Sequence, residues 1–336
     1  MTLLDTLQPP SPIDPTASAY KDWFHLNFAE PESGTIGLIN TSLHGSPWDE
    51  RARAIGTVLV HSPQWGWRSH VEIMAYSEAN LAPSVVALRN IALAIDGRSG
   101  TIHASSHGAS NPFHARFVAE PVSAPIDFEQ QMPLGNGWIS WYLVSNMSLS
   151  GDWTTHGSRT ILSKVPAYHD HSWGRWHWGD DFGWEWGCFL RNPANPHRAS
   201  MVFARTTDRA HRHFEKAFLA VDAGSARRFF GADNLALHFG GRLDSTVHRV
   251  PGAMAALHQE MAEPRLPRTV EISAAQGSDY VKVTFEARAA AQFITADPNV
   301  RGYGFIHEIV GEYAGAGRLC GVPFETTGYA VFEYVM

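Results

Sequence analysis

The chain has 336 residues, of which 44% are hydrophobic and 18% are charged, and its formal net charge is −7. This composition is typical of a globular protein of one large or two ordinary domains, and the acidic balance without a basic block argues against a nucleic-acid partner. Two cysteines exclude a disulfide framework, and without a signal-peptide pattern or a long apolar run we expect a cytoplasmic protein with no integral membrane segment.

Residues 1–15 contain four prolines, and we expect them to form a flexible N-terminal arm. Beyond them, short runs that are apolar, or that alternate between apolar and polar residues, recur between Gly, Pro, Asn and Asp, which predicts strands joined by turns. The clearest runs are Thr35–Asn40, Gly56–His61, Val71–Tyr76, Ile91–Ile95, Trp138–Ser145, Arg159–Val165, Gly187–Leu190, Ser200–Arg205, Lys216–Val221, Leu235–Phe239, Thr269–Ser273, Tyr280–Ala287, Gly304–Tyr313 and Tyr329–Tyr334. The best helix candidate is Ala253–Ala262, which lies between prolines. We therefore predict an all-β protein with few short helices.

The strand-rich regions before and after residues 170–186 have similar lengths, which predicts two domains, at 16–175 and 176–336. Residues 168–186 also hold five of the 12 tryptophans, beside three histidines and four acidic residues. Aromatic walls next to titratable groups are typical of a ligand pocket. The alternative is a β-core in which tryptophans pack and the polar groups find partners.

If the chain is extended at the start of this segment, successive side chains point to opposite faces of the strand. Tyr168 and Asp170 would face one side, and His169 and His171 the other. Burial among tryptophans would raise the pKa of Asp170, which could then hold a proton near neutral pH and act as a general acid with Tyr168 as its partner. His171 could act as a base on water only if the chain turned before Gly174. Tryptophan faces would stabilise a developing carbocation.

The sequence Tyr168-His169-Asp170-His171-Ser172-Trp173-Gly174 resembles the Tyr-x-Asp-His-x-Trp-Gly signature of the carotenoid-hydratase and AttH-like superfamily. Asp22–Phe28 is a weaker match, to an aromatic strand near the start of those proteins. The resemblance implies two lipocalin-like antiparallel β-barrel domains with a ligand pocket at or near their junction. It also implies catalysis on a lipophilic substrate without a cofactor, with Tyr168 and Asp170 as the catalytic pair.

Our first hypothesis is therefore a cofactor-independent acid–base enzyme that acts on a lipophilic, unsaturated terpenoid or aromatic small molecule. The reaction would be a hydration or dehydration, an isomerisation, a cyclisation or a carbon–carbon lyase step, and the sequence does not choose among them. Asp170 would give or take the proton, with Tyr168 as its partner and His171 as a conditional base. The side chains expected to bind the substrate are Trp173, Trp176, Trp178, Trp184, Trp186, Trp141, Trp67 and His70.

Two other functions stay open. A lipocalin-like carrier would bind a hydrophobic ligand without chemistry. A metal-dependent lyase or hydrolase would use a histidine cluster, although His-x-His within one strand is not a specific metal spacing, and we predict no metal. The members of this cluster would be His169, His171 and His177, with Asp180 and Asp181. Glu308, in a strand-like run, is predicted to face the core or the pocket.

Overall fold

The computed structural model of the protein describes residues 5–107, 113–128, 130–155, 157–193, 199–224, 226–250, 265–297 and 302–336. The predicted helix at Ala253–Ala262 lies outside these residues. Within them, the elements are 23 strands and three 3-10 helices, at Ala17–Ala19, Tyr76–Glu78 and Ala232–Asn234. The described helices are all far too short to cross a membrane. The prediction of an all-β protein with few short helices is confirmed.

Thirteen strands between residues 20 and 175 form the first sheet. They are β1 (Tyr20–Glu30), β2 (Thr35–His44), β3 (Arg53–Ser62), β4 (Gly66–Ala75), β5 (Asn80–Ala82), β6 (Val85–Ala87), β7 (Ile91–Ile95), β8 (Ile102–Ser106), β9 (Phe113–Pro121), β10 (Ile126–Asp127), β11 (Met132–Leu134), β12 (Gly137–Thr155) and β13 (Ser158–Arg175). Their order is β4-β3-β2-β1-β13-β12-β9-β8-β7-β6-β5, all antiparallel, and β10 and β11 pair with β12. The sheet curls, so that Gly56 on β3 lies against Ile91 on β7.

Ten strands between residues 183 and 335 form the second sheet. They are β14 (Gly183–Phe189), β15 (Ser200–Thr207), β16 (Phe214–Ala223), β17 (Ala226–Gly231), β18 (Leu235–Gly240), β19 (His248–Arg249), β20 (Thr269–Gln276), β21 (Asp279–Ala296), β22 (Tyr303–Leu319) and β23 (Val322–Val335). Their order is β17-β16-β15-β14-β23-β22-β21-β20-β18, and the short β19 pairs with β21 in parallel. The chain passes from one sheet to the other between Arg175 and Gly183.

Apolar side chains form one core within each sheet and a further core between the two. Phe24 and Phe117 belong to the first-sheet core, and Phe203 and Phe332 to the second. The core between the sheets combines side chains of β12 and β13 with side chains of β14, β15 and β23. Its tryptophans are Trp141, Trp176, Trp178, Trp184 and Trp186. Most of the aromatic segment therefore lies where the two sheets meet.

A buried ion pair joins the two sheets beside the connection between them. Lys21 on β1 is 0% exposed, and its Nζ lies 2.7 Å from Oδ1 of Asp297, which follows β21. The same Nζ donates to the carbonyl oxygens of Trp176 (2.8 Å) and Ala19 (3.2 Å), so each of its three protons has an acceptor. The other Asp297 oxygen accepts from the backbone N–H of Trp178 at 2.8 Å. One ion pair thus fixes both sheets and the connecting segment.

The described part of the predicted N-terminal arm makes specific contacts with the first sheet. The Leu7 N–H donates to the carbonyl oxygen of Pro83 at 2.6 Å, and the Gln8 N–H donates to Asp22 Oδ2 at 2.7 Å. The Asp5 carboxylate lies 3.2 Å from His169 Nε2. Residues 5–8 are therefore attached to the sheet, next to the back of β13.

Gly174, the last residue of the Tyr-x-Asp-His-x-Trp-Gly motif, leaves no room for a side chain. A Cβ there would lie 2.1 Å from the carbonyl oxygen of Trp138 and 2.7 Å from the Trp176 ring. We expect Gly174→Ala to lower the free energy of unfolding by about 1–3 kcal/mol, because β12 and β13 must separate. Thermal denaturation would measure this loss. Gly231→Ala is the matched control, since its Cβ would meet nothing within 4 Å, and equal midpoints for the two variants would contradict the prediction.

Candidate active site between the two sheets

Tyr168 and Asp170 lie on the face of β13 that meets the second sheet. β13 pairs with β1 in unbroken register from Ala167 to Arg175, so its side chains alternate between the two faces of the sheet throughout the motif. The Tyr168 hydroxyl donates to Asp170 Oδ2 at 2.9 Å, and the Ser172 hydroxyl donates to Oδ1 at 3.3 Å. On the neighbouring strand β1, His25 is the residue opposite Asp170.

Asp170 is 5% exposed, and this burial raises its pKa from 3.8 to about 7. The charge of His169 and the hydrogen bond from Tyr168 oppose the rise, and the nearby carboxyl group of Glu333 adds to it. Burial also raises the pKa of the Tyr168 hydroxyl well above its usual range, so this group stays a hydrogen-bond donor. Asp170 can therefore exchange a proton near neutral pH.

His171 lies on the opposite face of β13. Its Nε2 is 2.8 Å from Asp22 Oδ1, and its ring packs against Phe24 and Trp173, each at 4.7 Å between ring centroids. The strand does not turn before Gly174, so the condition for His171 as a base beside Asp170 is not met. Trp173, with the same parity as His171, also faces away from Asp170.

A pocket of about 300 Å³ lies between the two sheets. One wall comes from β1 to β4 and the other from β21 to β23, with Trp178 and Trp184 between them. The apolar residues of the walls are Leu38, Ile55, Val71, Ile73, Val250, Phe293, Ile294, Ala296 and Ile306. Ile73 is 53% exposed and marks the side that opens to solvent. The described lining omits Asp170, but two residues close to it, His25 and Glu333, are part of the lining.

Two further acidic groups, Glu308 and Glu333, line this pocket. They stand opposite each other on β22 and β23, and their carboxyl groups are hydrogen-bonded. Trp184 Nε1 donates to Glu333 Oε2 at 2.7 Å. Burial raises the pKa of both groups, and the charge of Glu333 raises that of Glu308 further. Together with Asp170 they form what we call the carboxyl cluster.

His25 is held in one tautomer by amide side chains. Its Nε2 lies 2.7 Å from Asn27 Oδ1, which accepts only, and its Nδ1 lies 3.2 Å from the donor Nδ2 of Asn40. The proton is therefore on Nε2. Burial lowers the pKa of His25 to about 4, so this pocket residue is neutral at physiological pH.

The substrate-binding residues expected from the sequence are spread over several environments. Trp178 and Trp184 line the pocket, whereas Trp186 packs behind it against Tyr168 at 5.2 Å and His25 at 5.9 Å. Trp176 is buried against Trp23, and Trp141 lies against Phe218. Trp67 contacts His61 and His248, and His70 lies on the other face of β4 from Val71. Sequence analysis overlooked Glu333, Asn40 and the pocket position of Trp23.

The three histidines of the metal hypothesis do not converge. His169 and His171 contact Asp5 and Asp22 behind β13, whereas His177 lies 3.4 Å from Asp297 in the connection between the sheets. In the part of the chain that the structure describes, no three His, Cys, Asp or Glu side chains are grouped so that they could hold a metal ion.

Solved structures match the whole fold, although no protein-family model and no curated protein matches the sequence. A protein described as AttH from Nitrosomonas europaea is 15% identical with a TM-score of 0.66, covering 98% of this chain and 99% of its own. Kievitone hydratase from Nectria haematococca is 13% identical with a TM-score of 0.62, covering 100% and 92%. CghA with Sch210972 is 14% identical with a TM-score of 0.64, covering 95% and 88%. The predicted AttH-like, lipocalin-like fold is therefore confirmed; at these identities the similarity establishes the fold alone.

Proposed function

We propose that the protein is an acid–base enzyme that acts on a lipophilic, unsaturated small molecule, terpenoid or aromatic, in the pocket between the two sheets. The observation that supports this most directly is the buried carboxyl group of Asp170. It has a pKa of about 7, and it lies close to an apolar pocket. A group with such a pKa both gives and takes a proton at neutral pH, as a general acid and base must.

In the hydratase form of the proposal, the carboxyl cluster gives a proton to one carbon of a carbon–carbon double bond. The π electrons form the new C–H bond, and the positive charge is left on the neighbouring carbon. Water adds to that carbon and returns a proton to the cluster, so protons and charge balance over one cycle. In this scheme Asp170 holds the exchanging proton, Tyr168 orients it, and Glu333, which faces both Asp170 and the pocket, relays it.

Kievitone hydratase shares this fold at low identity, and its name supports hydration as the first reaction to test. The apolar walls of the pocket support a lipophilic ligand. No residue of the proposed scheme requires a cofactor, so we propose a cofactor-independent reaction. We also propose residues 16–175 and 176–336 as the two domains, each with its own sheet.

The test is mass spectrometry of a panel of lipophilic and aromatic metabolites incubated with the wild type and with Asp170→Asn. We expect a product with the wild type, and a turnover lower by about 100-fold or more with the variant, because a general acid typically contributes this much. The mass change identifies the reaction: one water gained or lost, no change for isomerisation or cyclisation, or a fragment lost for a lyase. Asp152→Asn, which removes a half-buried carboxylate on β12 that is paired with Arg159, is the control.

The second candidate function is a carrier of a hydrophobic ligand. The mainly apolar walls of the pocket favour it. A carrier would bind members of the panel with equal affinity in the wild type and in Asp170→Asn, and neither would form a product. That result would replace the acid–base proposal.

A further inference from the structure

The Glu308–Glu333 pair places two carboxyl groups against the apolar pocket. Glu308 is 4% exposed, and in the described chain its buried Oε2 accepts no hydrogen bond from any N–H or neutral hydroxyl group. Its hydrogen-bond neighbour is the carboxyl group of Glu333. Carboxylate oxygens only accept hydrogen bonds, so two bonded carboxyl groups must share at least one proton. With one shared proton the pair has one net negative charge, and with two protons it is neutral.

Among the described residues, no cation is paired with either carboxyl group. Neither glutamate forms an ion pair, and the titratable groups that face the pair are Asp170 on β13 and Cys188 on β14, with His25 across the pocket. His25 is neutral, because burial lowers its pKa to about 4. An ionised carboxylate without a counter-charge is costly inside a protein, so the empty pocket favours the protonated pair. A ligand with a positive charge would take the place of a proton and stabilise the ionised form.

Two other basic residues, His44 and Arg53, line the pocket. Burial lowers the pKa of His44 to about 3, so it is neutral as well. The Arg53 guanidinium donates to the backbone carbonyl oxygens of Glu50 (2.8 Å) and Ala52 (2.9 Å), at the start of β3. Neither residue supplies a counter-charge to the pair.

Three tryptophans stand beside the pair in the same pocket: Trp23, Trp178 and Trp184. Trp23 and Trp184 are stacked at 6.5 Å, Trp178 and Trp184 lie 5.9 Å apart, and Trp184 Nε1 also fixes Glu333. Faces of tryptophan attract cations, most strongly where water is excluded, and aromatic cages of this kind recognise quaternary ammonium groups. The carboxyl pair and the three tryptophans therefore both favour a ligand with a positively charged group.

We infer that this part of the pocket is a cation-binding subsite, formed by Glu308, Glu333 and the indole rings of Trp23, Trp178 and Trp184, for the positive centre of an otherwise apolar ligand. An organic ammonium ion presents such a centre permanently. Where the proposed function holds, a substrate presents it transiently, on the carbon that becomes positive after proton transfer. Binding of a permanent cation rests on the pocket alone and not on the proposed reaction.

The experiment compares two probes of the same shape, benzyltrimethylammonium and its neutral carbon isostere neopentylbenzene, by tryptophan fluorescence titration at pH values from about 6 to about 9, since loss of a proton from the pair strengthens cation binding. We expect the wild type to bind the ammonium probe at least about tenfold more tightly. Glu308→Gln and Glu333→Gln should lose this preference, since glutamine keeps the volume and removes the charge. Glu312→Gln, at an exposed position further along β22, is the matched control and should keep it.

Far-UV circular dichroism of each variant separates loss of charge from loss of fold. Equal affinity of the folded wild type for the two probes would overturn the inference, and so would an unchanged preference in folded Glu308→Gln. Ammonium binding with the expected variant pattern, but no product from any panel compound, would support the cation subsite and count against the proposed reaction. Turnover that benzyltrimethylammonium does not inhibit, with no preference between the probes, would overturn the subsite and leave the reaction standing.

Discussion

Asp170→Asn should be more stable than the wild type at alkaline pH and nearly equal to it at acidic pH. The folded protein raises the pKa of Asp170 from 3.8 to about 7, so over this range the folded state holds a proton that the unfolded state has lost. The stability of the wild type therefore falls as pH rises from about 4 to about 7 and then levels off, at a cost of at most about 4 kcal/mol from this group. Asparagine does not ionise, so the variant avoids this loss.

Urea denaturation of both proteins at about pH 5 and about pH 8 measures this effect. We expect a difference in unfolding free energy that grows by about 2–4 kcal/mol between the two values, in favour of the variant. Asp152→Asn is the control, since that carboxylate is half-buried on β12 and paired with Arg159, and equal growth in this variant would mean that the effect is not specific to Asp170. A variant destabilised equally at both pH values would contradict the buried environment assigned to Asp170. If Asp170→Asn is more stable than the wild type but has lost turnover, Asp170 contributes to catalysis at a cost in stability.

Lys21→Met should destabilise the protein by about 3–5 kcal/mol, because it leaves the buried Asp297 carboxylate without its counter-charge. The carbonyl oxygens of Trp176 and Ala19 would lose their donor in the same step. Thermal or urea denaturation would measure the loss. The double variant with Asp297→Asn should recover part of it, since no unpaired charge remains and the amide oxygen can still accept from the Trp178 N–H.

Arg51→Met is the matched control for this ion pair. Arg51 and Asp49 form an exposed pair at 2.9 Å, and exposed pairs contribute at most about 1 kcal/mol. A loss in Lys21→Met no larger than in Arg51→Met would mean that the junction of the two sheets does not depend on the Lys21–Asp297 pair.

The sequence predicted the strands whose neighbours and faces follow from simple alternation. Every predicted strand run overlaps a strand of the structure, and Ile91–Ile95 matches β7 in both bounds. The β1 strand is different, because buried polar residues such as Lys21 and Asn27 interrupt its apolar pattern. Their partners, Asp297 and Cys188, lie far away in the chain, and periodicity within a short window contains no information about such contacts.

The same reasoning explains what could be predicted of the site. Parity along a strand was enough to place Tyr168 and Asp170 together and His171 opposite them, because all three lie within four residues of one strand. The same alternation places Trp173 on the face of His171 and away from Asp170, so the density of tryptophans alone does not identify the residues of the pocket. Glu333 lies 163 residues from Asp170 in a different sheet. Only the packing of the two sheets brings it to the pocket.

The open side of the pocket is built from β3 and β4, and β4 is the edge strand of the first sheet. An edge strand has a neighbour on one side only, so substitutions at its pocket positions, Val71 and Ile73, disturb few other contacts. The carboxyl cluster instead lies on interior strands of both sheets, where each change affects two neighbours. Substitutions at the rim can therefore change which molecules the pocket admits at little cost to the fold, whereas substitutions in the carboxyl cluster disturb both sheets.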